Sequence, residues 1–191
     1  MDNHPTNYLE SIRKQFTYYK KLGDRTFAQL EDQDLFRQYH PDSNSIAIIV
    51  KHLWGNMLSR WTDFLTADGE KEWRQRDAEF EADIADRTEM LEKWEAGWAC
   101  VFEALDGINA DNFDTLVYIR NMGHSITEAL NRQLAHYAYH VGQIVFIGHM
   151  IKGEDWQSLS IPKGGSKAYN AGKFSQPKRK EHFTEEFLKD E

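Results

Sequence analysis

The chain has 191 residues, 40% apolar and 28% charged, with six Trp, eight Tyr and eleven Phe; this suits one buried core and argues against general disorder. With 31 acidic and 23 basic side chains its formal charge is −8, which disfavours nucleic acid and anionic membrane as partners. The lone cysteine, Cys100, excludes an intramolecular disulfide framework; no apolar run approaches the ~20 residues of a membrane span, and MDNHPTNYLE lacks a signal pattern, so a cytoplasmic protein is expected.

The first helical pattern follows Pro5. Tyr8, Leu9, Ile12, Phe16, Tyr19, Leu22, Phe27 and Leu30 recur at intervals of three and four, an amphipathic spacing, with an interruption expected near Gly23. Tyr39-His40-Pro41 breaks it, since proline biases the residue before it away from helix. The second pattern opens at PDSNS, where Asn44 or Ser45 can cap free backbone donors. Its stripe is Ile46, Ile49, Leu53, Met57, Trp61 and Phe64, and Ala67-Asp68-Gly69 stops it.

Residues 69–86, polar and weakly periodic, read as a long connection, a kind uncommon in compact domains and often functional. Glu79 and Glu81 within it could approach a site on the helices, but a solvated acidic loop is the expectation. The third helix starts at Asp86, whose spacing to Glu89 resembles a capping box, continues through Met90, Leu91, Trp94, Trp98, Val101, Phe102 and Leu105, and ends at Asp106-Gly107. Cys100 falls at an apolar-periodic position and reads as buried filler. DTLVYIR is a short β-type piece. The fourth helix runs from about Ser125 to Ile151 and stops at Lys152-Gly153. The remainder is turn-rich and wraps the body, and the basic stretch ending in QPKRK leads into a tail. The expected fold is all-α: a four-helix bundle with a long helix 2–3 connection, one domain over residues 1–175, and a loose charged tail over 176–191.

Bundles commonly build metal sites from side chains on facing helices. In HYAYH, His136 and His140 lie four apart, so both rings point the same way, about 6 Å apart. Tyr137 stands where a zinc protease of the HExxH type has its glutamate, which disfavours protease chemistry. Among eight histidines such spacing also arises by chance, and taken alone it is better explained by hydrogen-bonded core or surface histidines. His52 in VKHLWGN adds a third candidate at the edge of the second helix's buried face, with Gly55 and Ser59 leaving room nearby. Three histidines with an open fourth position is the arrangement of catalytic rather than structural zinc. His124 and His149 are rotated away from the His136/His140 direction. Gln143 and Asn56 can hydrogen-bond a ligand ring or a metal-bound water. Arg132 can hold an anionic substrate or make a surface salt bridge. Tyr137 and Tyr139 read as packing residues.

KHLWGNMLSRWTDFL, RWTDFLTADGEKEWRQRDAEFE and HYAYHVGQIVFIGHMIKGEDWQSLSIPKG together resemble the DinB-like superfamily of metalloenzymes. The closer resemblance is to its small bacterial branch known as a domain of unknown function (DUF1572-like), over about residues 5–175. The resemblance implies an up-down-down-up four-helix bundle, His52, His136 and His140 as ligands of a divalent transition metal, nickel or zinc, and a homodimer. It also implies a small-molecule substrate, since some members are S-transferases or isomerases using low-molecular-weight thiols such as bacillithiol. Three neutral imidazoles would leave the metal its full charge, which acidifies a bound water or thiol. The residues alone leave open thiol-dependent S-transfer, metal-assisted hydrolysis and a non-catalytic, metal-stabilised bundle that binds a partner or small ligand.

Overall fold

The structure is a computed structural model and describes residues 4–189. It is mostly helical: α1 (His4–Phe27), the one-turn α2 (Asp32–Leu35), α3 (Ile46–Trp61), α4 (Arg87–Asp106), a hairpin of β1 (Leu116–Ile119) and β2 (Met122–Ser125), α5 (Ile126–Lys152), α6 (Ser166–Phe174) and the one-turn α7 (Glu185–Leu188). None of these helices is long and apolar enough to cross a membrane. α1 packs along α5, α5 meets α3, α3 packs along α4, and α4 returns to α1.

The helix starts follow from their caps. Ser45, not Asn44, accepts from the Ile48 amide at 3.2 Å. Asp86 accepts from the Glu89 amide at 2.9 Å, while Glu89 reaches back to the Ala85 amide at 2.8 Å, one residue earlier than a standard capping box. Ser125 and Glu128 exchange both bonds of the box, at 3.2 and 2.8 Å. Each cap is worth about 1 kcal/mol.

Five aromatics from the four long helices meet at the centre. Phe16 of α1 lies 5.9 Å from Trp61 of α3, 6.1 Å from Trp98 of α4 and 5.8 Å from Tyr137 of α5, and Trp94 packs 5.5 Å from Trp98. α1 is not interrupted at Gly23. A Cβ there would sit 2.4 Å from Trp94 Cζ2, so the glycine admits the indole, whose Nε1 donates to Asp24 at 2.6 Å. α1 does end at Phe27, earlier than its apolar pattern; Leu30 follows in a turn yet stays buried. α3 likewise stops at Trp61, short of Phe64, because Thr62 turns extended and Asp63 adopts φ 51°. Tyr137 is fully buried, but Tyr139, expected to pack, is exposed.

The β-type piece is one arm of a hairpin whose second arm, MGHS, has no strand-like composition. Arg120 and Asn121 form a two-residue turn with both φ positive, at 56° and 60°, the hairpin geometry that matches strand twist. Asp68 holds that turn, accepting from the Arg120 and Asn121 amides at 2.8 Å each, and the Gly69 amide donates to Tyr118 O at 2.8 Å.

The 69–86 connection is not a solvated loop throughout. It turns back along α3 and forms a 3-10 turn, Asp77–Phe80. Lys51 donates to Ala78 O at 2.5 Å and pairs with Asp83, and Ser59 donates to Gly69 O at 2.8 Å. α3 is consequently buried on nearly all sides: fourteen of its sixteen residues are buried, including Lys51, His52, Asn56, Ser59 and Arg60.

The tail expected to be loose is docked over residues 182–188. Phe183 and Phe187 flank Tyr18, with centroids 5.9 and 5.6 Å away, His182 contacts Ser11 at 3.0 Å and Glu185 pairs with Lys14 at 2.9 Å. Its two phenylalanines are the anchors that a charge-based reading overlooks.

Gly23 and Gly142 make a paired test of packing. Gly23→Ala forces Trp94 aside and is expected to cost about 1–3 kcal/mol in urea unfolding. Gly142→Ala, on α5 with open space at its Cβ, is expected to be neutral or to gain up to about 1 kcal/mol.

Candidate metal centre

His52 projects from α3, and His136 and His140 from successive turns of α5. One nitrogen of each ring lies within 4.8 Å of the others, a group that could hold a metal ion. The Nε2 atoms of His52 and His136 are 3.3 Å apart. His52 and His140 are buried and His136 is partly exposed.

Two of the rings are anchored from behind. His52 Nδ1 bonds Glu79 Oε2 at 2.9 Å, and His140 Nδ1 bonds Gln143 Oε1 at 2.8 Å. A carboxylate only accepts, so His52 carries its proton on Nδ1 and turns the Nε2 lone pair toward the other rings. A carboxylate or amide oxygen behind a metal-binding imidazole fixes tautomer and ring orientation in this way. Phe80 stacks on the opposite side of His52, 4.8 Å between centroids.

Burial disfavours charge on the two α5 rings. Burial first, then the His140 and His52 rings and the Arg60 and Arg74 guanidiniums, push His136 down to about 3. Burial likewise lowers His140, against the opposing bond from Gln143. Burial alone would raise the Glu79 carboxyl, but hydrogen bonds from His52 and Arg74, and the charge on Arg74, hold it below the usual carboxylate range. Arg74 grips Glu79 through two bonds, Nε to Oε1 at 2.7 Å and Nη2 to Oε2 at 3.0 Å.

Glu79 is the residue that sequence reasoning placed wrongly. It is 5% exposed, not on a solvated acidic loop. Gly55, one turn after His52, explains its approach: a Cβ at Gly55 would sit 2.5 Å from Glu79 Oε1. The room that Gly55 leaves is filled by this carboxylate. Glu81 does stay exposed.

The other candidates fall as follows. Gln143 is on the His140 ring. Asn56 borders the same cavity, and its side-chain oxygen accepts from Tyr137 OH at 3.2 Å. Arg132 also borders it, with a 3.2 Å bond to the His124 ring rather than a salt bridge. His124 and His149 stay outside the cluster, as their helical phase suggests; His149 stacks on Trp156. The cavity above the three rings measures about 370 Å³.

The sequence matches the family model described as Protein of unknown function (DUF1572) over residues 3–165. The chain belongs to the DUF1572 family. No curated protein matches it. In this DUF1572 protein the match takes in the three histidines, Glu79 and Gln143 and ends before α6. Cys100 borders a separate cavity of about 330 Å³ alongside Thr62. Burial raises its thiol, with partial relief from the Thr62 hydroxyl, so it is not poised as a nucleophile.

Glu79→Ala leaves the Arg74 guanidinium buried without its bidentate partner, and unfolding in urea at pH 7 should show a loss of about 3 kcal/mol; Glu79→Gln should lose less. Alkylation of Cys100 by iodoacetamide should run well below the rate of a free thiol at pH 8. Because the thiol is raised, that rate should still be climbing above pH 9.

Proposed function

We propose that this protein is a metal-dependent enzyme built on a DinB-like four-helix bundle, with His52, His136 and His140 holding one divalent transition metal, nickel or zinc. The observation that carries the reading is the convergence of three imidazoles from two helices, two of them anchored on their outer nitrogens. One pair already has the spacing of a tetrahedral ion, whose nitrogens, each about 2.0–2.1 Å from it, stand about 3.3–3.4 Å apart: His52 and His136 Nε2 are 3.3 Å apart, and the three rings' nitrogens lie within 4.8 Å of one another. Such an ion, held by His52, His136 and His140, would supply the Lewis acidity that makes a thiol or water more acidic.

Thiol-dependent S-transfer is the favoured reaction. Among the described residues no aspartate or glutamate borders the cavity, and Glu79 is committed to His52 and Arg74. The described residues therefore place no free carboxylate as a general base at the open side. A thiol, far more acidic than water, needs such a base least. Glu79 and Gln143 act as positioning residues: each holds a ring so that its lone pair faces the centre. Arg132 and Asn56 stand where a substrate would enter.

Elemental analysis of purified protein should find close to one equivalent of a first-row transition metal. His136→Ala should abolish it, and Glu79→Ala should weaken metal binding about 10–100-fold. Full occupancy in a His52, His136 and His140 triple alanine variant would overturn the assignment. Metal-loaded protein, supplied with bacillithiol or glutathione and a generic electrophile, should form thioether faster than metal-free protein does; equal rates would remove the transferase reading.

A further inference from the structure

The wall of the cavity above the histidines has an unusual charge. Arg60, Arg74, Arg76, Arg120 and Arg132 all border it, half of the chain's ten arginines, in a protein whose formal charge is −8. They arrive from separate places: Arg60 from α3, Arg74 and Arg76 from the 69–86 connection, Arg120 from the hairpin turn and Arg132 from α5. Convergence of five like charges from four segments is costly unless something offsets it.

The protein offsets only part of it. Glu70 pairs with Arg60 at 3.2 Å, Arg74 at 3.6 Å and Arg120 at 3.1 Å, and Glu79 takes Arg74. Two carboxylates thus serve three guanidiniums. Among the described residues no ion pair engages Arg76 or Arg132: Arg76 lies over the Phe80 ring at 5.6 Å, and Arg132 bonds the His124 ring. Five positive and two negative charges leave three positive charges around the cavity.

An unmet donor falls in the same wall: Arg60 Nε is buried without a partner and could give a hydrogen bond to an anion, while the unpartnered Gln133 Oε1 nearby, an acceptor, calls for a donor elsewhere on the ligand. Arg60 is 6% exposed and Gln133 3%. Burial lowers the Arg60 guanidinium from its ordinary value, and Arg74 and Arg132 add to that against the pull of Glu70. A buried polar atom without a partner is uncommon and calls for an explanation.

We infer that this cavity binds a small dianion, a phosphate monoester or dicarboxylate headgroup, through Arg76 and Arg132, with the rest of the ligand directed at the three histidines. Guanidinium is the side chain suited to planar, two-point recognition of carboxylate and phosphate. The cavity volume of about 370 Å³ is at the small end for ligand pockets, which fits a metabolite rather than a polymer. The inference names the substrate class of the reading above and so rests on it for the reaction, but the anion site itself stands on the arginines alone.

The test uses isothermal titration and thermal unfolding at matched ionic strength, on protein as purified and after metal removal. The probes are succinate and inorganic phosphate, with neutral succinamide as the control. At least one dianion should bind and raise the melting temperature, with or without metal, while succinamide does neither; which dianion binds more tightly separates the carboxylate from the phosphate source. The Arg76→Ala/Arg132→Ala variant should bind the dianion at least tenfold more weakly, with its metal content unchanged. Arg179→Ala, on the exposed tail, should bind as the parent does. No binding of either dianion, equal binding in the double variant, or binding seen only with metal present would each overturn the anion site. Metal content measured on the same samples keeps the two failures apart: dianion binding by protein that carries no metal as purified sinks the metal reading alone, and metal in the purified protein without arginine-dependent binding sinks this one alone.

Discussion

The structure depends on the burial of α3. This helix carries Lys51, His52, Asn56, Ser59 and Arg60 among its apolar residues, and all five are buried. A buried polar group left unpaired costs about 1–3 kcal/mol, and more if charged. Each of the five has been given a partner: Ala78 and Asp83 for Lys51, Glu79 for His52, Tyr137 for Asn56, Gly69 for Ser59, and Gly69 with Glu70 for Arg60. Four of these five sets lie in residues 69–83. The path of the long connection is therefore dictated by α3, and in covering the helix it delivers Glu79, Arg74, Arg76 and Phe80 to the site.

The aromatic core fixes the other half of the site. Trp61 Nε1 donates to Tyr137 OH at 2.7 Å, and that hydroxyl donates on to Asn56. This buried relay ties α5 to α3 at two points and sets the rotation of α5 about its own axis. His136 precedes Tyr137, and His140 lies one turn after His136, so the same rotation aims both rings at His52. The core and the centre cannot shift independently: a change in how Tyr137 seats on Trp61 and Trp98 is felt three residues away at the His140 ring.

Apolar periodicity and caps made the four long helices legible. Ser45, Asp86 and Ser125 mark real starts, and Lys152-Gly153 a real end. Helical phase also brought His136 and His140 together and set His124 and His149 aside. What stayed hidden depended on contacts distant in sequence. MGHS becomes a strand because Asp68, fifty-two residues from Arg120, caps the turn beside it. Gly23 looked like a break because nothing local reveals that Trp94 packs on it. Glu79 looked like one acid among many in a charged loop. A signal for it did exist: a helix with this many polar residues in its apolar run must be covered by something polar, and Gly55 marks where the cover comes closest.

The two carboxylates beside the centre have a consequence for its chemistry. Glu70 and Glu79 are the acids positioned to neutralise the cavity's arginines, and both are held by several donors at once. Glu79 is kept ionised by Arg74 and His52 despite its burial, so protonating it would break a bidentate ion pair and a histidine anchor together. A carboxylate in that position orients; it is poorly placed to shuttle protons. The arginines in turn help keep His136 neutral, which preserves the lone pair that a metal needs. Positive charge on the wall and neutral nitrogen at His136 are thus mutually supporting.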